Sequence, residues 1–266
     1  MGVARGRQVS KAVGGIEVTL SIDLEMAIGW QTSQGQQRLE AVTAGLIELL
    51  DSQCIPATWG VSNPALSAAR DVILTARSPH EVAVLGERFW LGDGTTPSRL
   101  AQEFERRFAG ARRAGLEVST LLLRQTAEHL DLNLLLGNGI TAVRGPAVAA
   151  SAKPADSRQE TRRFSTWQVP SPTLIPRSGS WWQADPWAFQ QRLKRAVQWA
   201  SPLHLVLDAG KLAELSDLGL PAAARFMRDL GQMQSEKQFR FVTLGEFARE
   251  YLNRRASQPS RSVLAA

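Results

Sequence analysis

Asp23-Leu24-Glu25 is the sharpest cluster of reactive groups in the chain: two carboxylates two residues apart, directly after an apolar stretch. Such a pair can share a metal ion, or divide into a general base and a metal ligand. The same pair at a strand end can equally meet water or cap the next turn. The histidines are His80, His129 and His204. His80 heads Glu81-Val82, His129 falls on an expected helix surface without a role, and His204 sits inside the apolar run Leu203 to Leu207. A histidine in such a run is ordinarily a core residue, and becomes a proton-transfer group only where it faces a pocket. No two histidines stand at helix or strand ligand spacing, so a two-histidine zinc site is not written here. Tryptophan is abundant, and Trp59, Trp181 and Trp182 near strand ends or loops are candidate platforms for sugar rings, with core or loop packing the alternative for each. There is neither a phosphate-binding loop ending in Lys-Ser/Thr nor a G-x-S-x-G elbow.

The elements that must position these groups alternate in type. Ile16 to Asp23 alternates apolar and polar residues, the period of a strand. Gln37 to Leu50 carries a helical apolar face through Leu39, Val42, Leu46 and Leu49. Strands are expected at Ile55–Val61, Glu81–Leu85, Glu117–Leu123, Ile140–Val143, Leu203–Leu207 and Phe239–Thr243. Helices are expected at Pro97–Ala114, Ala127–Leu136, after Asp185-Pro186, at Pro221–Met233 and at Gly245–Leu252. Pro97 suits a first turn and Gly115 a C-terminal stop. This order predicts an α/β fold, a distorted (β/α) barrel of about seven or eight mostly parallel strands with helices outside. Chemistry then belongs at the C-terminal strand ends. That rule selects Asp23, Glu25, Trp59, the stretch from Leu85 to Phe89, Arg124, Arg144, His204 and Asp208.

Length and composition agree with one domain over residues 1–252. Residues 1–13 read as a flexible N-terminus, 147–163 as a flexible loop insertion, and 253–266 as a disordered tail. The formal net charge is +6, but much of the excess lies in those segments, so a nucleic-acid partner is not expected. The single cysteine, Cys54, excludes an internal disulfide and a cysteine metal cluster, and beside Ile55 it reads as a small core residue. With neither an apolar leader nor an apolar run of membrane-spanning length, the expectation is a cytoplasmic protein.

The ordered motifs resemble the polysaccharide deacetylase (NodB-homology) family, in its Asp-x-Glu subgroup, over about Gly15 to Leu252. Val18 to Glu25 is similar to the first-strand motif, Cys54 to Val61 to the "Pro-Ala-Thr" strand, and Pro79 to Ala83 to the opening of the histidine motif. Gly115 to Gln125 and Gly139 to Pro146 are similar to the arginine-bearing strand ends, Leu203 to Asp208 to the late histidine strand, and Phe241 to Leu244 to the closing strand. The resemblance implies a distorted β/α barrel that removes N-acetyl groups from amino-sugar polymers with a divalent metal, commonly zinc. It implies Asp23 as base, His204 as late acid and Glu25 as metal carboxylate, with Asp208 a further metal candidate. Trp59, Arg124, Arg144, Trp181 and Trp182 are the substrate-binding candidates. Leu85 and Phe89 stand where the family has its two metal-binding histidines, and neither binds a metal. Two functions follow: a degenerate homologue binding a glycan or a protein, or a deacetylase with a rebuilt metal site. An Asp-x-Glu pair also resembles the metal motif of sugar-nucleotide transferases, which usually follows a nucleotide-binding βαβ region.

Overall fold

The computed structural model describes residues 16–25, 31–67, 69–91, 94–125, 130, 132–146, 148–149, 167–169, 173–174, 191, 193–196, 198, 202–215, 219–236 and 239–256. In chain order these give β1 (Ile16–Asp23), α1 (Ser33–Ser52), β2 (Thr58–Val61), α2 (Ala69–Leu74), β3 (Glu81–Gly86) and α3 (Arg88–Leu91). Next come α4 (Pro97–Phe104), a π-helical turn (Glu105–Ala109), α5 (Gly110–Arg113), β4 (Thr120–Leu123), α6 (Leu132–Gly137) and β5 (Ala142–Arg144). Three short strands follow, β6 (Val148–Ala149), β7 (Trp167–Val169) and β8 (Thr173–Leu174). The chain closes with β9 (Leu203–Asp208), α7 (Ala209–Glu214), α8 (Gly219–Ser235), β10 (Phe239–Val242) and α9 (Leu244–Ala256).

All described strand pairings are parallel, in the order β6-β8-β9-β1-β2-β3-β4-β5-β7, with β10 also on β1. The sheet curls into a part-closed barrel ringed by helices, the expected distorted (β/α) barrel. Strand alternation sorts the side chains into two layers. Val18, Leu20 and Ile22 of β1, with Leu205 and Leu207 of β9, face outward into a core shared with Leu39, Leu46 and Leu50 of α1. Ala83, Leu85, Leu122, Ala142 and Val242 fill the barrel interior, closed below by Leu244 and Phe247 of α9. A third cluster joins β3 to β5 with Trp90, Phe104 and Phe108. Gly60 makes room inside: a Cβ there would stand 2.8 Å from Leu122 Cδ1 and 3.1 Å from Leu85 Cδ1.

The barrel floor is held by Glu81 at the start of β3. Its carboxylate accepts from Thr58 Oγ1 (2.8 Å), from Thr120 Oγ1 and from the backbone N–H of Gly245 (2.9 Å), so one side chain ties two neighbouring strands to the first turn of α9. A carboxylate there also suits the positive end of the helix dipole.

Several expectations need correction. Cys54 is exposed, with φ of 52°. Helix α1 runs to Ser52, and Cys54 takes the left-handed turn beyond it: its N–H bonds Asp51 O (3.3 Å) while Ile55 N–H bonds Leu50 O (2.9 Å). Residues 253–256, expected to belong to the tail, lie in α9, which continues to Ala256. Of the 147–163 insertion, Val148–Ala149 pair with β8; its other residues, and 1–13 and 257–266, lie outside the described residues. Among the described residues no helix is long and apolar enough to cross a membrane.

Candidate functional site at the barrel mouth

Strand β1 delivers Asp23 to the C-terminal end of the barrel, and β5 delivers Arg144 from across it. The Arg144 guanidinium donates to both carboxylate oxygens of Asp23, Nη1 to Oδ1 at 2.7 Å and Nη2 to Oδ2 at 3.0 Å. It also reaches Ser21 Oγ (2.9 Å) and the Leu123 carbonyl (3.3 Å). Asp23 is 4% and Arg144 1% exposed, so the pair is a sealed, bidentate ion pair.

A second cation sits above it. Arg124, just past β4, donates from Nη1 to Glu25 Oε2 (2.9 Å) and from Nη2 to Asp208 Oδ2 (2.5 Å). Asp208 stands opposite Asp23 in the β1–β9 register, and its Oδ1 accepts from Lys211 N (3.0 Å), capping α7. The close approach of α7 depends on Gly210, where a Cβ would lie 1.9 Å from the Glu25 carbonyl oxygen. Burial raises the Glu25 pKa; Arg124 opposes this, while Glu87 and Asp23 add to it. Burial likewise raises Asp208, against Arg124 and the Lys211 N–H. Burial disfavours the Arg124 charge, but Asp208, Asp23 and Glu25 outweigh it and hold its pKa above the usual value. One guanidinium shared by two carboxylates leaves each only partly compensated, which accounts for shifts in the same direction on both sides.

His204 lies four residues below Asp208 on β9. It is 3% exposed, with Nδ1 2.6 Å from Thr19 Oγ1 and its ring edge-on to Phe247. Burial pushes its pKa down to about 3, so it is neutral near pH 7. A late acid must touch the leaving group, and this imidazole is enclosed in the barrel.

Trp59 is corrected from its expected substrate-binding role. It is 0% exposed and points outward, edge-on to His80 at 5.7 Å between ring centroids, because strand parity turns Thr58 and Gly60 inward instead. Arg144 stands at the mouth, but its sealed pairing with Asp23 removes it from substrate reach. Arg124, half-buried, is the candidate that remains reachable. Trp181 and Trp182 lie outside the described residues. Leu85 is buried inside the barrel and Phe89 falls in α3.

These residues do not fit the metal that the motif resemblance implies. Both Asp23 oxygens are on Arg144, one oxygen each of Glu25 and Asp208 is on Arg124, and Leu85 offers no lone pair. Among the described residues no group of three His, Cys, Asp or Glu side chains could hold a metal ion.

Sequence reasoning missed a network behind Glu87. Ser62 Oγ donates to Glu87, Arg107 Nε donates to the Ser62 carbonyl (2.8 Å), and the Arg107 guanidinium pairs with Glu103 and lies 4.4 Å over the Trp90 ring. The π-helical turn carries Arg107 into this position, buried between Phe104 and Phe108 in sequence. Arg107 sits among Glu105, Arg106, Arg112 and Arg113 in sequence, so nothing local marked it as the buried one.

No protein-family profile and no curated protein matches the sequence. Solved structures do match in shape. A Mycobacterium smegmatis protein assigned to the polysaccharide deacetylases superposes with a TM-score of 0.62 at 13% identity, covering 92% of this chain and 94% of that one. The allantoinase PuuE gives 0.60 at 12% identity, covering 92% and 91%. A Parabacteroides distasonis protein assigned as a glycoside hydrolase/deacetylase gives 0.59 at 13%, covering 91% and 72%. At such identities the likeness is one of fold: the chain shares the distorted (β/α) barrel of these proteins.

Proposed function

We propose that this chain is a divergent polysaccharide deacetylase homologue that binds a glycan at its barrel mouth and does not hydrolyse it through a metal. The observation that carries the reading is Arg124, whose guanidinium occupies the space between Glu25 and Asp208 that a cation would need. Leu85 at an expected ligand position supports it. A cytoplasmic location is proposed alongside, on the single cysteine in the sequence.

The test is metal content after equilibration with zinc, manganese and magnesium, together with acetate release from N-acetylated amino-sugar oligomers. The expected outcome is no stoichiometric ion and no acetate. Near one ion per chain, with acetate release abolished by Asp23→Ala, would replace this reading with a deacetylase whose metal site has been rebuilt.

A further inference from the structure

With its centre tied up in ion pairs, the mouth still has an open cleft to one side, lined by both polar and apolar side chains. It runs along the N-terminal half of α1 as two joined cavities of 590 and 370 Å³, which share Leu24, Gln36 and Leu39. Each lies in the roughly 300–1,000 Å³ range of small-molecule sites. The first is walled by Glu25, Gln31, Ser33 and Glu87, the second by Glu40, Ser62, Asn63 and Ser67. Among the described residues no Lys, Arg or His side chain lines either part: Arg124 is turned to Glu25 and Asp208, and Arg107 is buried behind Ser62.

We propose that this cleft is the glycan-binding groove and that it takes an uncharged, hydroxyl-rich oligosaccharide; the inference rests on the glycan-binding reading above. Amides and hydroxyls both donate and accept, as sugar hydroxyls do, and the carboxylates accept strongly from them. Leu24 and Leu39 supply an apolar patch that matches the C–H face of a pyranose ring. A uronic-acid polymer is disfavoured, because its carboxylates would meet Glu25, Glu87 and Glu40 with no compensating cation among the described lining residues.

Calorimetry with the N-acetylglucosamine hexamer, cellohexaose and hexagalacturonate tests this on the full chain. At least one neutral hexamer binds, and hexagalacturonate binds at least about tenfold more weakly. Gln36→Ala and Asn63→Ala each weaken the neutral ligand by about two- to tenfold, the worth of a lost hydrogen bond. Ser33→Ala, on the exposed rim, repeats the test at a third position, and thermal melts verify folding. Val72→Ser, on the outer surface of α2, has no effect. If Arg124→Gln weakens binding and the three cleft variants do not, the ligand sits over the mouth centre; the cleft is then wrong while the glycan reading stands. Hexagalacturonate binding as tightly as the neutral hexamers overturns the proposed ligand class. If no neutral hexamer binds the wild type, both the cleft and the glycan reading fail.

Discussion

Removing the buried Arg144 guanidinium is expected to cost far more than removing both members of its ion pair. In Arg144→Met, Asp23 keeps its carboxylate, 5% exposed as a side chain, but loses two charge-assisted hydrogen bonds at 2.7 and 3.0 Å. A buried charge left without its partner costs about 3–5 kcal/mol. Asp23→Leu should cost a similar amount, because Arg144 would retain only Ser21 Oγ and the Leu123 carbonyl. The double variant puts two apolar side chains against each other and is expected to lose less than either single one, giving a coupling of about 3 kcal/mol or more. Urea unfolding at pH 7 reads each free energy, and each single variant should melt about 6–20 °C lower, at roughly 2–4 °C per kcal/mol. Single-variant losses below about 1 kcal/mol would mean the pair behaves as an exposed one. Additive losses in the double variant would mean that the two side chains are not coupled; either result refutes the sealed-pair account.

Other outcomes follow from the same geometry. The His204 pKa is pushed from 6.5 to about 3 by burial, so the unfolded chain binds the proton more readily between those values. Its contribution is complete above pH 6.5 and is lost as the pH falls, by about 1.4 kcal/mol per pH unit and so about 2 kcal/mol by pH 5. The pH 7 minus pH 5 stability difference should therefore shrink by that amount in His204→Gln, and an unchanged difference would contradict the buried neutral imidazole. Gly210→Ala should destabilise by about 1–3 kcal/mol in thermal melts, since its Cβ would strike the Glu25 backbone rather than a movable side chain. Cys54→Gly should raise stability by about 1 kcal/mol, because its left-handed backbone penalises any Cβ; a lower melting temperature would refute the assignment of that turn.

The longer strands were legible because their alternation is a local property, whereas β6, β7 and β8, two or three residues each, are too short to show it. Ile16–Asp23 was read to the residue, and the Pro97 start and Gly115 stop of the helical stretch that ends with α5 both hold. The short helices α2 and α7 escaped, since six residues hardly exceed a turn and a half and show little periodicity. For the mouth, strand-end logic brought Asp23, Glu25, Arg124, Arg144 and Asp208 together, but not who pairs with whom. Asp23 meets Arg144 across 121 residues, and no local pattern encodes that distance. Trp59 was assigned to the mouth because it ends a strand; its direction depends on the parity of Thr58 and Gly60, which only the register fixes. Cys54 gave no warning of a turn usually taken by glycine or asparagine.

The place of β1 in the sheet also bears on how the chain is made. Its lower half, Ile16 to Thr19, bonds to Phe239 to Val242, and its full inner length from Val18 to Asp23 bonds to Leu203 to Asp208. Strand β1 thus leaves the ribosome long before β9 and β10, the strands it bonds to. At about 5–20 residues per second, roughly 11–45 s separate Thr19 from Val242 during synthesis. Through that interval the apolar edge of β1 is unsatisfied, and Glu81 has no α9 to cap. Folding is therefore completed only once β10 and α9 have left the ribosome, and such long-range closure makes it slow. Nascent chains stalled before residue 203 should accordingly be captured by chaperones and cleaved by protease, while those extended past residue 256 and clear of the ribosome become resistant.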